Sequence, residues 1–293
     1  MSAVAGRASV LSTLEDAVAA VHDGAVVGIG GAVTDGHPMA LVRGLARRGV
    51  RELTVVAPTA GLDVELLIAA GCVSKVVAAY VGMEGVAGVA PVFRRAVQEG
   101  AVGVEDIDEG HCVAGLRAAA QKLPFYPWRG GVGTSYPEVN TEIVAFADPL
   151  RGEPLLAIPA LELDFALIYS ETADEFGNAQ VAGTGHMDQL LGAAARHVIV
   201  QVDRVVSNEL IRSRPERTWY WRDARVVRAP FGTHPYSNAW MTADVEHLEG
   251  YVRAGRSGGE ELAAYMDDHV HAVADHDDYL ERVGIRRIAS LLI

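Results

Sequence analysis

The chain has 293 residues, 50% hydrophobic, 22% charged and 6% aromatic, with a net charge of −13. That length allows one large α/β domain or two ordinary ones at roughly 150 residues each, and with no linker, repeat or low-complexity tract a single compact domain over residues 1–293 is expected. The acidic balance argues against nucleic acid, no apolar run reaches the ~18 residues of a membrane span, and Cys72 and Cys112 alone build neither a disulfide framework nor a four-ligand zinc site.

In chain order, Thr13–His22 reads as an opening helix with Ser12 as its N-cap and Asp23-Gly24 as its stop. Strands follow at Ala25–Ile29, Glu52–Ala57 and Lys75–Ala79, separated by helices at Pro38–Arg48 and Val64–Ala70. Helices are next expected at Val92–Gln98 and His111–Gln121, the latter stopped by Leu123-Pro124. Glu142–Ala147 and Leu155–Ile158 flank the turn Arg151–Pro154 and read as an antiparallel hairpin. Phe165–Tyr169 and His197–Val202 are strands around a helix within Ala182–Ala195, and Glu260–Tyr279 reads as one long terminal helix. Strands apolar on both faces and alternating with helices predict an α/β fold. Its sheet should be open and largely parallel, with helices on both faces. The N-terminal MSAVAGRASVLSTLEDAV lacks a long apolar core, so no secretory signal and a cytoplasmic location are expected.

The strongest local signal is Asp23-Gly-Ala-Val-Val-Gly-Ile-Gly-Gly-Ala-Val-Thr-Asp-Gly-His-Pro38, a strand entering a Gly-rich turn before a helix. Glycines let backbone amides approach an anion or thioester, and a helix N-terminus adds positive potential. A plain strand–helix turn explains the same pattern. Val33 breaks the G-x-G-x-x-G dinucleotide spacing, and there is no Gly-Lys-Ser/Thr of a phosphate-binding loop.

The whole segment resembles the signature of family I coenzyme A transferases: Asp23, Gly24, Gly30, Gly31, Gly36 and Pro38 match, Gly28 takes an apolar position and Ala32 replaces a Phe. Leu123–Pro127 with Gly131–Thr134, Asp174–Asn178, Ala229–Pro235 and Asp275–Leu280 are similar, in order, to segments of the glutaconate-type A chains. This resemblance implies an α (A-type) subunit that works with a homologous β (B-type) subunit, in a heterodimer or α2β2. It also implies a coenzyme A thioester as substrate, with no tightly bound cofactor and no metal. The acylated glutamate of such enzymes lies on the β subunit, and no Ser-Glu-Asn-Gly stands in this chain. Gly30, Gly31, Gly131, Gly133 and Thr134 are then the positions expected to contact substrate or coenzyme A through backbone donors.

Glu109, within Glu105-Asp-Ile-Asp-Glu-Gly110, admits two readings. Acids at a helix start are often a solvated first turn favoured by the helix dipole. The resemblance adds another: the glutaconate pattern has Gln at this place, whereas related steroid ring-opening hydrolases carry a catalytic Glu in Asp-Glu-Gly. A Glu against a partner's apolar wall would act as a base on water or a C–H. Transfer between an acyl-CoA and a carboxylic acid is thus the leading expectation, with Glu109-dependent hydrolysis or C–C cleavage beside it and a non-catalytic scaffolding role as a third reading. Gly255-Arg-Ser-Gly-Gly259 lacks the preceding strand of a nucleophile elbow, and the His/Asp-rich stretch Asp267–Asp278 matches no standard metal spacing. His234 is read as shaping a turn, Cys112 as core and Arg129 as either a substrate contact or a surface ion pair. Trp219, Trp221 and Trp240 are read as a partner interface, and arginines group at Arg212–Arg217 and Arg222–Arg228.

Overall fold

The computed structural model describes residues 7–293. Eight strands run parallel in one sheet: β1 (Leu11–Ser12), β2 (Val26–Ile29), β3 (Leu53–Val56), β4 (Val73–Val77), β5 (Gly103–Glu105), β6 (Leu163–Ala173), β7 (Ala195–Val205) and β8 (Ala224–Arg228). Their order is β1-β8-β7-β6-β2-β3-β4-β5. Asn178–Gln180 adds antiparallel to the carboxyl end of β6, and Thr218–Tyr220 pairs with it. The central β6, Leu-Asp-Phe-Ala-Leu-Ile-Tyr-Ser-Glu-Thr-Ala, is buried along almost its whole length, as a strand covered on both faces must be.

β2 to β5 progress outward in one direction and β6 to β8 in the other, so the order reverses between β2 and β6, where Val27 lies opposite Phe165. The carboxyl ends of the strands at such a reversal leave a crevice, because the chain departs to opposite sides. One face of the sheet is covered by α1 (Leu14–Ala19), α2 (Met39–Arg48), α3 (Leu62–Ala69) and α4 (Pro91–Gln98), packed over Val27, Val55 and Val76. The other carries α5 (Glu109–Ala120) and α6 (Asp188–Ala194), over Ile168, Val200 and Val226. This is the expected open parallel architecture. The expected hairpin also forms, and Phe125–Trp128 joins it as a third antiparallel strand, placing Leu156 and Ile158 against Ala114 of α5. Asp148 organises its turn, its carboxylate accepting from the N–H groups of Leu150, Arg151 and Glu153.

Three local expectations change. Thr13, not Ser12, caps α1: its hydroxyl accepts from the Asp16 N–H at 3.0 Å, while Ser12 closes β1. Pro38 precedes α2 instead of opening it. The long terminal helix is broken into α8 (Gly259–Met266), a five-residue π turn at Asp267–His271, and α9 (His276–Val283); the Asp275 carboxylate accepts from the Asp278 N–H and starts a new helix there. Before them lies a helix the sequence reading lacked, α7 (Val245–Ser257), capped by Asp244.

Candidate functional site

The Gly-rich segment leaves the carboxyl end of β2 at the reversal point. Gly28 fits close packing: a Cβ there would meet the Leu163 side chain at 2.6 Å and force it to shift. Both glycines expected to offer free donors are engaged within the chain. The Gly30 N–H donates to the Leu167 carbonyl at 2.9 Å, and the Gly31 N–H to Asp188 Oδ1 at 2.8 Å. Gly31 has a φ of +90°. Asp188 opens α6 and is buried, and burial pushes its carboxyl up to about 7 against the opposing pull of the Gly31 N–H.

Further polar groups hold this loop. His186 Nε2 lies 3.3 Å from Asp35 Oδ2, and the Ser237 hydroxyl donates to Asp35 Oδ1 at 2.8 Å. His37 is 1% exposed, with Nδ1 3.1 Å from Asp63 Oδ2 and its ring against Tyr236. Burial works to raise the Asp63 carboxyl, but the His37 ring and the Gly61 and Val64 N–H groups outweigh it and hold it below the ordinary range. His37 Nε2 is buried without a hydrogen-bond partner among the described residues. Sequence reading missed Asp35, His37, Asp63, His186 and Asp188. Their one local signal is the turn-rich Gly183-Thr-Gly-His-Met-Asp188 just before a helix.

Glu109 is the first residue of α5 and is solvent-exposed, next to the N-cap Asp108, whose carboxylate accepts from the His111 N–H at 2.8 Å. The loop carrying Gly131, Gly133 and Thr134 packs on this same helix start. His111 stacks on Tyr136 with ring centres 4.4 Å apart, and a Cβ on Gly131 would lie 3.3 Å from the His111 ring. The Tyr136 hydroxyl donates to the Asp106 carbonyl and accepts from the Asp108 N–H. Gly131 and Gly133 have φ of +83° and +79°, and the Thr134 hydroxyl donates back to the Gly131 carbonyl at 2.7 Å. Glu109, Gly131, Gly133 and Thr134 therefore share one patch. Gly30 and Gly31 follow β2 on the same carboxyl edge, three strands from β5, which leads into Glu109.

The other candidates take structural places. His234 lies in the expected turn, its N–H donating to the Phe231 carbonyl at 3.0 Å, and its ring is fully buried and hydrogen-bonded to Tyr279 and Asp244. Cys112 is buried, and desolvation pushes its thiol up to about 12. Arg129 pairs with Glu153 on the surface. Ser257 ends a helix, without the strand that a nucleophile elbow needs. His234, Asp244 and His247 bring ligand atoms within 4.8 Å of one another, yet both Asp244 oxygens are held by the Arg287 guanidinium. The three tryptophans divide: Trp221 is buried against Trp219, while Trp240 lies under Arg204.

Residues 11–220 match the family model described as Coenzyme A transferase, and the chain belongs to that family. It is 38% identical to the cholesterol ring-cleaving hydrolase IpdA subunit of Rhodococcus jostii, over 76% of this chain and 78% of that one. It is 30% identical to the A-type chain of glutaconate CoA-transferase from Acidaminococcus fermentans, over 97% and 95% of the two chains. The crystal structure of glutaconate coenzyme A-transferase from that organism superposes with a TM-score of 0.91 at 29% identity, covering 97% of this chain and 96% of that one. A protein of Archaeoglobus fulgidus is 36% identical over 92% of this chain, which spans 63% of that relative's length.

Proposed function

We propose that this chain is the α subunit of a heteromeric coenzyme A transferase, acting in the cytoplasm with a homologous β subunit, in an αβ or α2β2 assembly. The enzyme moves coenzyme A from an acyl-CoA to a carboxylic acid. A glutamate on the β partner attacks the thioester carbonyl and expels the thiolate; the thiolate then attacks the acylated glutamate, releasing the first acid and leaving a glutamyl thioester. The acceptor carboxylate reverses these two steps with its own acyl group. Oxyanions form at each attack, and backbone N–H groups aimed at them lower the barrier. The supporting observation is the shape of the carboxyl edge: the Gly-rich loop lies at the strand reversal, and an exposed Glu109 patch with the left-handed Gly131 and Gly133 lies along the same edge. Gly131, Gly133 and Thr134 are the contacts we assign to substrate; Gly30 and Gly31 shape the crevice through Asp188 and Leu167.

A second reading is favoured by Glu109 itself. A carboxylate exposed in this chain, with no cation within ion-pair distance among the described residues, is free to act as base once a partner wall covers it. Acyl-CoA hydrolysis or C–C cleavage would follow. The experiment is co-expression with the B-type chain and incubation with acyl-CoAs, with and without acetate or glutarate. Coenzyme A appearing on the added acid, with a glutamyl thioester trapped on the partner and Glu109→Gln retaining turnover, supports transfer. Free coenzyme A or a ring-opened or shortened thioester made without acceptor, and lost in Glu109→Gln, replaces transfer by the second reading.

A further inference from the structure

On the other side of the reversal, the carboxyl ends of β6, β7 and β8 surround two adjoining cavities of about 410 and 320 Å³. Both are large enough for ligand fragments of drug size. Arg204 and Trp240 line both, with the Arg204 guanidinium carbon 4.2 Å above the indole ring. Arg228 joins them in the first cavity, and Arg214 and Arg217 in the second.

These four arginines gather in a chain that is acidic overall. Its net charge is −13, with 38 acids against 25 Lys and Arg. Like most arginines of the chain, Arg204, Arg214, Arg217 and Arg228 have no carboxylate within 4 Å among the described residues; what distinguishes them is that they line the same two adjoining cavities. The two acids that line the cavities are engaged in hydrogen bonds of their own. Glu171 accepts from the Ala182 N–H at 2.8 Å, and Asp203 from the Phe231 N–H at 2.8 Å and from the Tyr169 hydroxyl. What remains for a ligand is a set of unpaired guanidinium forks around an indole face. Guanidinium matches phosphate oxygens in bidentate fashion, and an indole stacks on a planar ring. A phosphorylated nucleotide offers both.

We propose that this double cavity binds the phosphorylated adenosine end of the coenzyme A thioester, its phosphates on the arginines and its adenine against Trp240. The inference rests on the coenzyme A reading above and places that end of the substrate on the α chain. β7 is two strand spacings from β2, ~10 Å, so the rest of the thioester runs along the carboxyl edge toward the Gly-rich loop and the Glu109 patch beyond it.

The test uses the assembled enzyme with Arg204→Ala and, separately, Arg228→Ala, both at exposed positions where folding is checked by circular dichroism. Each is assayed with acyl-CoA and with the matching acyl-pantetheine, which keeps the thioester and lacks the nucleotide. Loss of a charge-assisted phosphate contact predicts a ~10- to 100-fold fall in the ratio of kcat/KM for acyl-CoA to that for acyl-pantetheine. An unchanged ratio in both variants overturns the site. Adenosine 3′,5′-bisphosphate, titrated calorimetrically, reads the site without turnover: binding weakened at least tenfold by Arg204→Ala supports it, and equal binding overturns it. Should the wild-type enzyme turn over neither thioester, the proposed function fails while the titration still decides the site.

Discussion

Asp188 holds the Gly31 N–H from a buried position, and this makes the Gly-rich loop sensitive to pH in a way one substitution exposes. Burial raises its carboxyl from an ordinary 3.8 to about 7 in the folded protein. Between these values the folded state keeps a proton that the unfolded chain releases, so stability from this group is greatest below pH ~4 and falls as pH rises through 7. Three units at 1.36 kcal/mol each set an upper value of ~4 kcal/mol for the loss. Asp188→Asn keeps the oxygen that accepts from Gly31 and removes the charge. At pH 5 the Asn variant should already lead, but only by ~1.5 kcal/mol, because Asp188 is protonated in the folded protein and ionised in the unfolded chain. At pH 8.5 the Asn variant should be the more stable, by up to ~4 kcal/mol. Urea unfolding followed by circular dichroism at both pH values measures the difference. A variant equally or less stable at pH 8.5, or a gap of the same size at both pH values, would refute the reasoning.

The same contact predicts that Gly30→Ala destabilises the fold, since its Cβ would stand 2.5 Å from Asp188 Oδ1. Displacing that carboxylate leaves the Gly31 N–H unsatisfied at ~1–3 kcal/mol, and overpacking adds a similar amount; denaturant midpoints within error of wild type would show the loop to be slack. Thr13→Ala should cost ~1 kcal/mol by removing the α1 cap, while Ser12→Ala should leave the thermal midpoint nearly unmoved. The reverse ranking would restore Ser12 as the cap.

The alternation of strand and helix, the hairpin from Glu142 to Ile158 and the Gly-rich turn before α2 were all readable from neighbours in the chain, because apolar period and turn chemistry are local properties. The family was readable too, from short motifs in a fixed order. The broken terminal helix was partly visible in Asp275, an N-cap residue three places before the residue whose N–H it accepts. The continuous apolar and charged pattern around it concealed the π turn.

What the sequence determined by itself is the set of elements and the chemistry available: Glu109 at a helix start, left-handed glycines in two loops, and arginine groups in an acidic chain. Only the tertiary structure decided which of these meet. Asp188 reaches Gly31, and Arg204, Arg214, Arg217 and Arg228 gather around Trp240, because β6, β7 and β8 run away from β2 in the opposite direction to β3, β4 and β5. Strand order depends on packing and loop closure over the whole chain, and no local pattern records it. The same order explains why Gly30 and Gly31 spend their N–H groups inside the protein: a buried donor must find an acceptor, and the neighbouring β6 and α6 supply Leu167 and Asp188.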